Sequence, residues 1–281
     1  MSAISPAAVK ALRDRTNAPM MECKAALTEA GGDMEKAVDV LRKKLAGVIS
    51  KKADREAAEG RIAVFIDPAA KVGAILELRC ESAPVAKTEQ FVALANDIVK
   101  QIALKDPASV EALLALPAGA NPKQTVSEQI GDVVGLIREN MKVAKFKRMT
   151  GILGSYAHHD GSVGVLLQVE GEKGDEQLLR DVCMHITARN PMAARVDDVP
   201  ADLVAKEKQL AKEQVAADPK NSKKPANIIE MILEGKIKTW LGENVLEQQP
   251  FVKDETKSVA DVLKSAGLKV SKFVRLKVGE L

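Results

Sequence analysis

The sequence predicts an α+β protein in three parts: a small three-helix unit, a core built twice from one strand–turn–strand–loop–helix string, and a helical hairpin projecting from the second copy. Three observations predict it. Residues 72–78 read VGAILEL, residues 163–169 read VGVLLQV, and an amphipathic helix follows each. The first 45 residues carry three short apolar stripes at helical spacing, parted by turn residues. Between residues 200 and 240, Leu203, Leu210 and Ala217 recur every seven residues among Lys, Glu and Gln, a seam too narrow for a globular core. Chance likeness of two apolar strands would also give the repeat, but it leaves the matching helices unexplained.

In the N-terminal unit (residues 1–45), Ser5 caps a helix with Pro6 at its first position, and Val9 and Leu12 face inward. The turn Thr16-Asn17-Ala18-Pro19 leads into a second helix. There Met20, Cys23, Leu27 and Ala30 form a buried stripe at i, i+3, i+7 and i+10, while Met21 and Lys24 fall off it toward solvent. Two readings stand equal for this helix: a slightly ragged core helix, or a docking surface whose exposed methionine adapts to an apolar partner. Gly31-Gly32 ends it, and Asp33 caps a third helix with Met34, Ala37, Val38, Leu41 and Leu45 on one face. So thin a core is expected to dock on something larger. Residues 46–60, charged around Lys51-Lys52-Ala53-Asp54-Arg55-Glu56, read as a helical or flexible linker.

The first core unit spans residues 61–150. A strand over 61–66 and a turn at Asp67-Pro68 precede a strand over 72–80, in which Leu76, Leu78 and Cys80 alternate with Glu77, Arg79 and Glu81, so that one face is buried. Ser82-Ala83-Pro84 breaks the pattern. Phe91, Leu94, Ala95, Ile98, Val99 and Ile102 then mark one side of a strong helix. A Pro/Ala-rich stretch, 106–122, leads to another amphipathic helix over 126–137. The second unit (151–199) repeats the string: a strand over 152–156, a hairpin turn at His159-Asp160-Gly161, a strand over 162–169, and an Asp175-capped helix with Leu178, Leu179, Val182, Cys183 and Ile186.

The arm (200–240) reads as an antiparallel coiled-coil hairpin. Its loop runs over 218–225, and Ile228, Ile229, Ile232 and Leu233 lie on its second helix. Residues 241–281 rejoin the second unit. Ser258 caps a helix with Val259, Val262, Leu263 and Ala266, and a last strand, alternating Val274, Leu276 and Val278, completes the second sheet.

Composition excludes several functions. With 42 basic and 39 acidic residues the net charge is +3, too balanced for the clustered basic face that nucleic acid requires. One Trp and one Tyr supply no base-stacking platform. Cys23, Cys80 and Cys183 are widely spaced on apolar stripes and read as reduced, buried thiols of a cytosolic protein. No stretch is long enough to span a membrane, and the N-terminus has no apolar signal core.

Catalytic signals are also missing. Phosphate loop, dinucleotide fingerprint and serine elbow are absent. His158-His159-Asp160-Gly161 is a turn by preference over a metal site, because adjacent hairpin residues point apart and no third ligand is signalled. His185, on an apolar helix, reads as a satisfied semi-core residue and not as a general base. The pattern is that of a binding protein without a cofactor, acting on another protein's chemistry.

Five blocks carry a family resemblance: LRDRTNAPMMECKAALTEAGGDMEKAVDVLRKK from Leu12, GSYAHHDGSVGVLLQV from Gly154, CMHITARNP from Cys183, QQPFVKDETKSVADVL ending at Leu263, and the terminal FVRLKVGEL. Together they resemble the bacterial elongation factor Ts family, which recharges the GTPase elongation factor Tu. The resemblance covers nearly the whole chain. It implies a UBA-like N-terminal domain, a duplicated core, and a protruding coiled coil that serves homodimer contacts in some members.

The resemblance also implies site residues. Arg13, Met20, Met21 and Lys24 would dock on the GTPase domain, and His158, matching a Ser-Tyr-x-His pattern, would join the contact surface of the core. The family disturbs the magnesium site with a Thr-Asp-Phe-Val segment after the second core strand, its phenyl ring wedged between GTPase helices. The matching residues here are Ser82, Ala83, Pro84 and Val85. Ala86-Lys87 fits the family pattern, but carboxylate and ring are both gone. Pro84 remains as a small rigid wedge, or as the residue that ends the strand and starts the next helix, and Glu81 as a nearby charge. A second departure is that many members continue past FVRLKVGE with a helix that contacts the GTPase, whereas this sequence stops at Leu281.

Two functions follow: a factor that binds elongation factor Tu–GDP and promotes GDP release, or a Tu-binding chaperone or sequestering protein without exchange activity. By linkage, a factor that prefers the nucleotide-free GTPase must weaken nucleotide binding equally. A thousandfold faster release needs about 4 kcal/mol of selective stabilisation at the exit barrier.

Overall fold

The computed structural model describes residues 4–16, 18–52, 54–221 and 224–280; Asn17 of the first turn, the Leu45 side chain and Ser222 and Lys223 of the arm loop lie outside the described residues. Helices α1 (Pro6–Thr16), α2 (Met20–Glu29) and α3 (Met34–Lys52) come first. The Ala8 amide donates to Ser5 Oγ at 3.1 Å, and Asp33 Oδ1 accepts from the Glu35 and Lys36 amides, so both expected caps form. Val9, Leu12, Cys23, Ala26, Leu27, Ala37 and Leu41 make one small core.

Met20 does not belong to that core: it is 48% exposed. Helical side chains lean toward the N-terminus, so the first residue of α2 points past the packed turns, and Ala26 completes the stripe with Cys23 and Leu27. Helix α3 also runs on to Lys52, well into the stretch read as linker.

The core begins with β1 (Glu59–Asp67), β2 (Val72–Cys80), α4 (Glu89–Lys105), α5 (Val110–Ala115), α6 (Val126–Ile137) and β3 (Met141–Thr150). It continues with β4 (Ile152–Ala157), β5 (Val163–Gly171) and α7 (Glu176–Arg189), then the arm helices α8 (Ala201–Ala217) and α9 (Ala226–Asn244). Strands β6 (Pro250–Phe251) and β7 (Asp254–Ser258), α10 (Val259–Ser265) and β8 (Leu268–Lys277) follow. The sequence reading does not anticipate α5, β3 or the β6–β7 ladder.

Among the described residues two three-stranded antiparallel sheets result, ordered β1-β2-β3 and β4-β5-β8, beside the two-stranded β6-β7 ladder. The two larger sheets correspond strand for strand. The ladder of β2 with β3 slips between Glu77 and Leu78, and that of β5 with β8 slips between Gln168 and Val169, the equivalent place. Such a bulge re-aims side chains. The sheets pack face to face through Ile62, Ile75, Met149, Leu166 and Leu276. Helix α4 covers the outer face of the first, and α7 with α10 that of the second.

Strand β2 is therefore buried on both faces, not on one as its alternation suggests. The second sheet takes the place of solvent on the far side. Glu77 is 0% exposed. Its Oε1 accepts from Arg79 Nε at 2.7 Å and from the Gly279 amide at 2.9 Å, which offsets part of the cost of burying this side chain, while Oε2 is buried without a hydrogen bond.

In the arm, α8 and α9 lie against one another, with Lys236 Nζ donating to Gln214 Oε1 at 2.9 Å. The seven-residue spacing does not mark the seam. Ala211 and Val215 are the buried positions of α8, while Leu210 is 41% exposed and Ala217 is exposed. An i, i+4 pair suits a short straight helix of 3.6 residues per turn better than a strict heptad. Leu203 packs at the base, with Val204, Trp240 and Leu241 against Ala193, Val199 and Val245.

Candidate functional site

The loop after β2 is fixed at both ends. Ser82 donates twice to Glu139, from its amide to Oε2 at 3.0 Å and from Oγ to Oε1 at 2.6 Å. The Asn140 amide donates to Glu81 Oε1 at 2.6 Å, and Arg55 lies 3.6 Å from the same carboxylate. Glu81 is thus an occupied anchor, not a free charge at the loop. On the far side Pro84 (φ −61°, ψ −38°) opens a 3-10 turn over Val85–Lys87. Thr88 Oγ1 donates to Val85 O at 2.8 Å and caps α4. Val85 packs on the first core, which leaves Ala83 and Pro84 as an exposed apolar tip. Hydrogen bonds to a charged acceptor such as Glu139 each contribute about 1.5–3 kcal/mol, so the tip is held in one conformation.

On the N-terminal unit, Arg13, Met20, Met21 and Lys24 are all exposed, Met21 at 74%. Between the methionines and Lys24, Glu22 pairs with Arg138, which follows α6, and the Arg138 carbonyl accepts from Lys52 Nζ. Three consecutive residues therefore bridge the two regions. Arg138 holds α2, Glu139 holds Ser82, and Asn140 holds Glu81 and, through Nδ2, the Arg55 carbonyl at 2.7 Å. Sequence reasoning misses this bridge, because a short polar run after a helix carries no signal of its tertiary partners. Beside it a cleft of about 740 Å³ separates the N-terminal helices from α6, with Pro19, Glu22, Arg42, Asp132, Leu136 and Arg138 on its walls. Burial raises the Asp132 carboxyl above its ordinary value.

His158 sits in the β4–β5 hairpin, half-buried, with Nδ1 2.9 Å from Asp160 Oδ1. The Ser162 amide and hydroxyl also donate to Asp160 and, with His158, hold its carboxyl far below the usual carboxylate range. His158 and His159 do not point apart: their ring centroids lie 4.3 Å from each other. Among the described residues no group of three His, Cys, Asp or Glu side chains is placed to hold a metal. The hairpin rests on β1, where the Ile62 amide donates to Gly161 O at 2.8 Å. β1 starts at Glu59, opposite Cys80 at the end of β2. His158 and the Ser82–Val85 loop thus flank the end of the core where β1 begins, one on each sheet.

Among the described residues, the two core thiols are not poised for covalent chemistry. Burial pushes the Cys80 thiol up to about 11, and burial raises the Cys183 thiol as well, so neither forms a thiolate near neutral pH. The site offers an apolar tip, two exposed methionines with flanking cations, and a histidine on a rigid hairpin.

A family model described as Elongation factor TS matches residues 81–280. The Elongation factor Ts of Janthinobacterium sp. (strain Marseille) is 44% identical over 282 residues, covering 100% of this chain and 92% of the relative. That of Bordetella petrii is 43% identical with 100% and 93% covered. That of Ralstonia nicotianae is 44% identical with 100% and 92% covered.

Proposed function

The chain belongs to the elongation factor Ts family of translation elongation factors, and we propose that it binds elongation factor Tu–GDP and drives GDP out through the stiff loop Ser82–Val85. The single observation that carries this reading is the anchoring of that loop. An exposed Ala83-Pro84 tip is anchored at Ser82 by Glu139, whose neighbour Arg138 grips α2. In this reading the three helices are a UBA-like domain docking on the GTPase through Arg13, Met20, Met21 and Lys24. The hairpin carries His158 to the same partner from the second sheet, and the tip enters beside the magnesium and phosphate site.

The factor lowers a barrier on its partner and leaves the chemistry to it. Binding that is stronger when the magnesium site is distorted weakens nucleotide affinity by the same factor. An anchored tip loses little conformational entropy on insertion, which favours the strained complex. The arm, read as an antiparallel coiled coil, offers exposed Leu210 and Met231 to a second copy of the chain. No described helix is long and apolar enough to cross a membrane, and we place the activity in the cytosol with its partner.

One observation favours a second reading, a Tu-binding chaperone or sequestering protein without exchange. The tip Ala83-Pro84 presents neither carboxylate nor aromatic ring. Release of a fluorescent GDP from elongation factor Tu, followed with and without the protein at fixed Mg²⁺, separates them. Acceleration by orders of magnitude is expected for the exchange factor. Binding without acceleration would establish the alternative.

A further inference from the structure

Glu77 and Gln168 occupy the same position in β2 and β5, three residues or fewer from the end of each strand and at the bulge of each sheet. Each side chain reaches the backbone where the opposite copy's third strand ends. Glu77 Oε1 accepts from the Gly279 amide at 2.9 Å, just past β8, and Gln168 Nε2 donates to Thr150 O at 2.6 Å, where β3 crosses into β4. Further contacts surround the first latch. Arg79 Nε lies 2.7 Å from Glu77 Oε1, Lys145 Nζ lies 3.9 Å from Oε2, and Lys145 also donates to the Glu280 carbonyl. Glu77 is wholly buried and Gln168 half-buried, so the fold holds an acidic side chain in one copy where the other holds a neutral amide.

From this reciprocal arrangement we infer that Glu77 and Gln168 are positioning residues for exchange: two latches that set the angle between the sheets, and through it the spacing of the Ser82–Val85 loop and the His158 hairpin. The loop leaves β2 of one sheet and the hairpin belongs to the other, so a partner engaging both reads that angle. A relaxed angle leaves each contact chemically intact but prevents both from being made in the strained complex. The loss falls on the rate at saturation. Docking through the N-terminal helices, which do not depend on the angle, sets the concentration needed.

The inference rests on the exchange reading above, and both are tested in one assay. GDP release from elongation factor Tu is measured against increasing full-length protein for wild type, Glu77→Ala, Glu77→Gln and Gln168→Ala, with folded fraction checked by circular dichroism. If wild type does not accelerate release, the exchange reading fails. If it does, Glu77→Ala is expected to lower the plateau fivefold or more and Gln168→Ala two- to threefold, with the half-saturating concentration changed less than twofold. Glu77→Gln, which keeps the acceptor for Gly279, should restore most of the plateau. Simple loss of folded protein would instead raise the half-saturating concentration at an unchanged plateau. Should Glu77→Ala not fold, Gln168→Ala alone decides. Folded variants that reach the wild-type plateau would overturn the inference.

Discussion

Gly73 and Gly164 are equivalent residues in the two sheets, each lying beneath a side chain of the other sheet. A Cβ on Gly73 would stand 2.8 Å from Leu153 Cδ1, and one on Gly164 2.5 Å from Ile62 Cγ2. Leu153 and Ile62 are themselves equivalent, since they pair with Gln168 and Glu77. The approach of the sheets is thus set by one glycine on each side. We predict that Gly164→Ala destabilises the protein by about 1–3 kcal/mol through overpacking. Gly73→Ala should cost less: its closest contact, the end of the Leu153 side chain, can rotate away and the next two, Ile66 Cγ1 and Phe65 O, stand at 3.1 Å, whereas the β-branched Ile62 cannot rotate away from Gly164. Urea midpoints of the two variants check the order, and equal midpoints would refute it.

The duplicated first two strands were legible because VGAILEL and VGVLLQV are buried on both faces and so are almost wholly apolar. The third strand was legible in the second copy, from the alternation of Val274 and Leu276 in β8, but not in the first. In β3 a bulge interrupts the alternation and Lys142, Lys145 and Lys147 mask it. A signal existed: residues 142–148 read KVAKFKR and residues 269–275 read KVSKFVR, and these lie in the equivalent third strands of the two sheets. The arm inserted between β5 and β8 hides that register. The loop and Met21 were legible as exposed breaks in an apolar pattern. Met20 was misplaced, because periodicity ignores where a helix ends. Glu139, which locks the loop, was invisible because its meaning is tertiary.

Met21→Asp should weaken binding to elongation factor Tu while the melting temperature stays within about 2 °C. The side chain is 74% exposed, and an exposed substitution alters stability by no more than about 0.5 kcal/mol. An apolar anchor at an interface is worth about 2 kcal/mol or more, roughly thirtyfold in Kd. Calorimetric titration checks it, and unchanged affinity would remove Met21 from the interface.

Replacing residues 207–236 by a short turn should leave the core folded. Leu203, Val204, Trp240 and Leu241, which pack the arm's base on the body, are retained, and the deleted part buries little beyond Ala211 and Val215. Sedimentation should show weaker self-association. A lower core melting transition would mean that the arm is part of the body.

His185 makes stability depend on pH. It is buried, Nδ1 accepts from the Val252 amide at 3.2 Å, and Nε2 lies 2.8 Å from Gln249 Oε1, so Nε2 carries the single proton of a neutral ring. Burial lowers its pKa below the ordinary value, and Arg189 pushes the same way against the Gln249 bond. The unfolded chain therefore binds this proton first. The contribution is present above about pH 6.5 and is lost as pH falls from there through the folded-state pKa, at up to about 1.4 kcal/mol per pH unit. His185→Gln should flatten the change in urea midpoint between pH 7.5 and 5.5. A variant with the wild-type slope would assign the effect elsewhere.

The central claim is that a stiff, anchored tip drives exchange without an aromatic wedge. Stopped-flow release of labelled GDP from elongation factor Tu at fixed Mg²⁺ tests it most directly, comparing wild type with Pro84→Gly and Glu139→Ala. Pro84 fixes its own φ and restricts Ala83, and Glu139 holds Ser82. Both substitutions should therefore slow release at saturation by tenfold or more while affinity for nucleotide-free Tu changes little. Release as fast as with wild type in both variants would contradict the account.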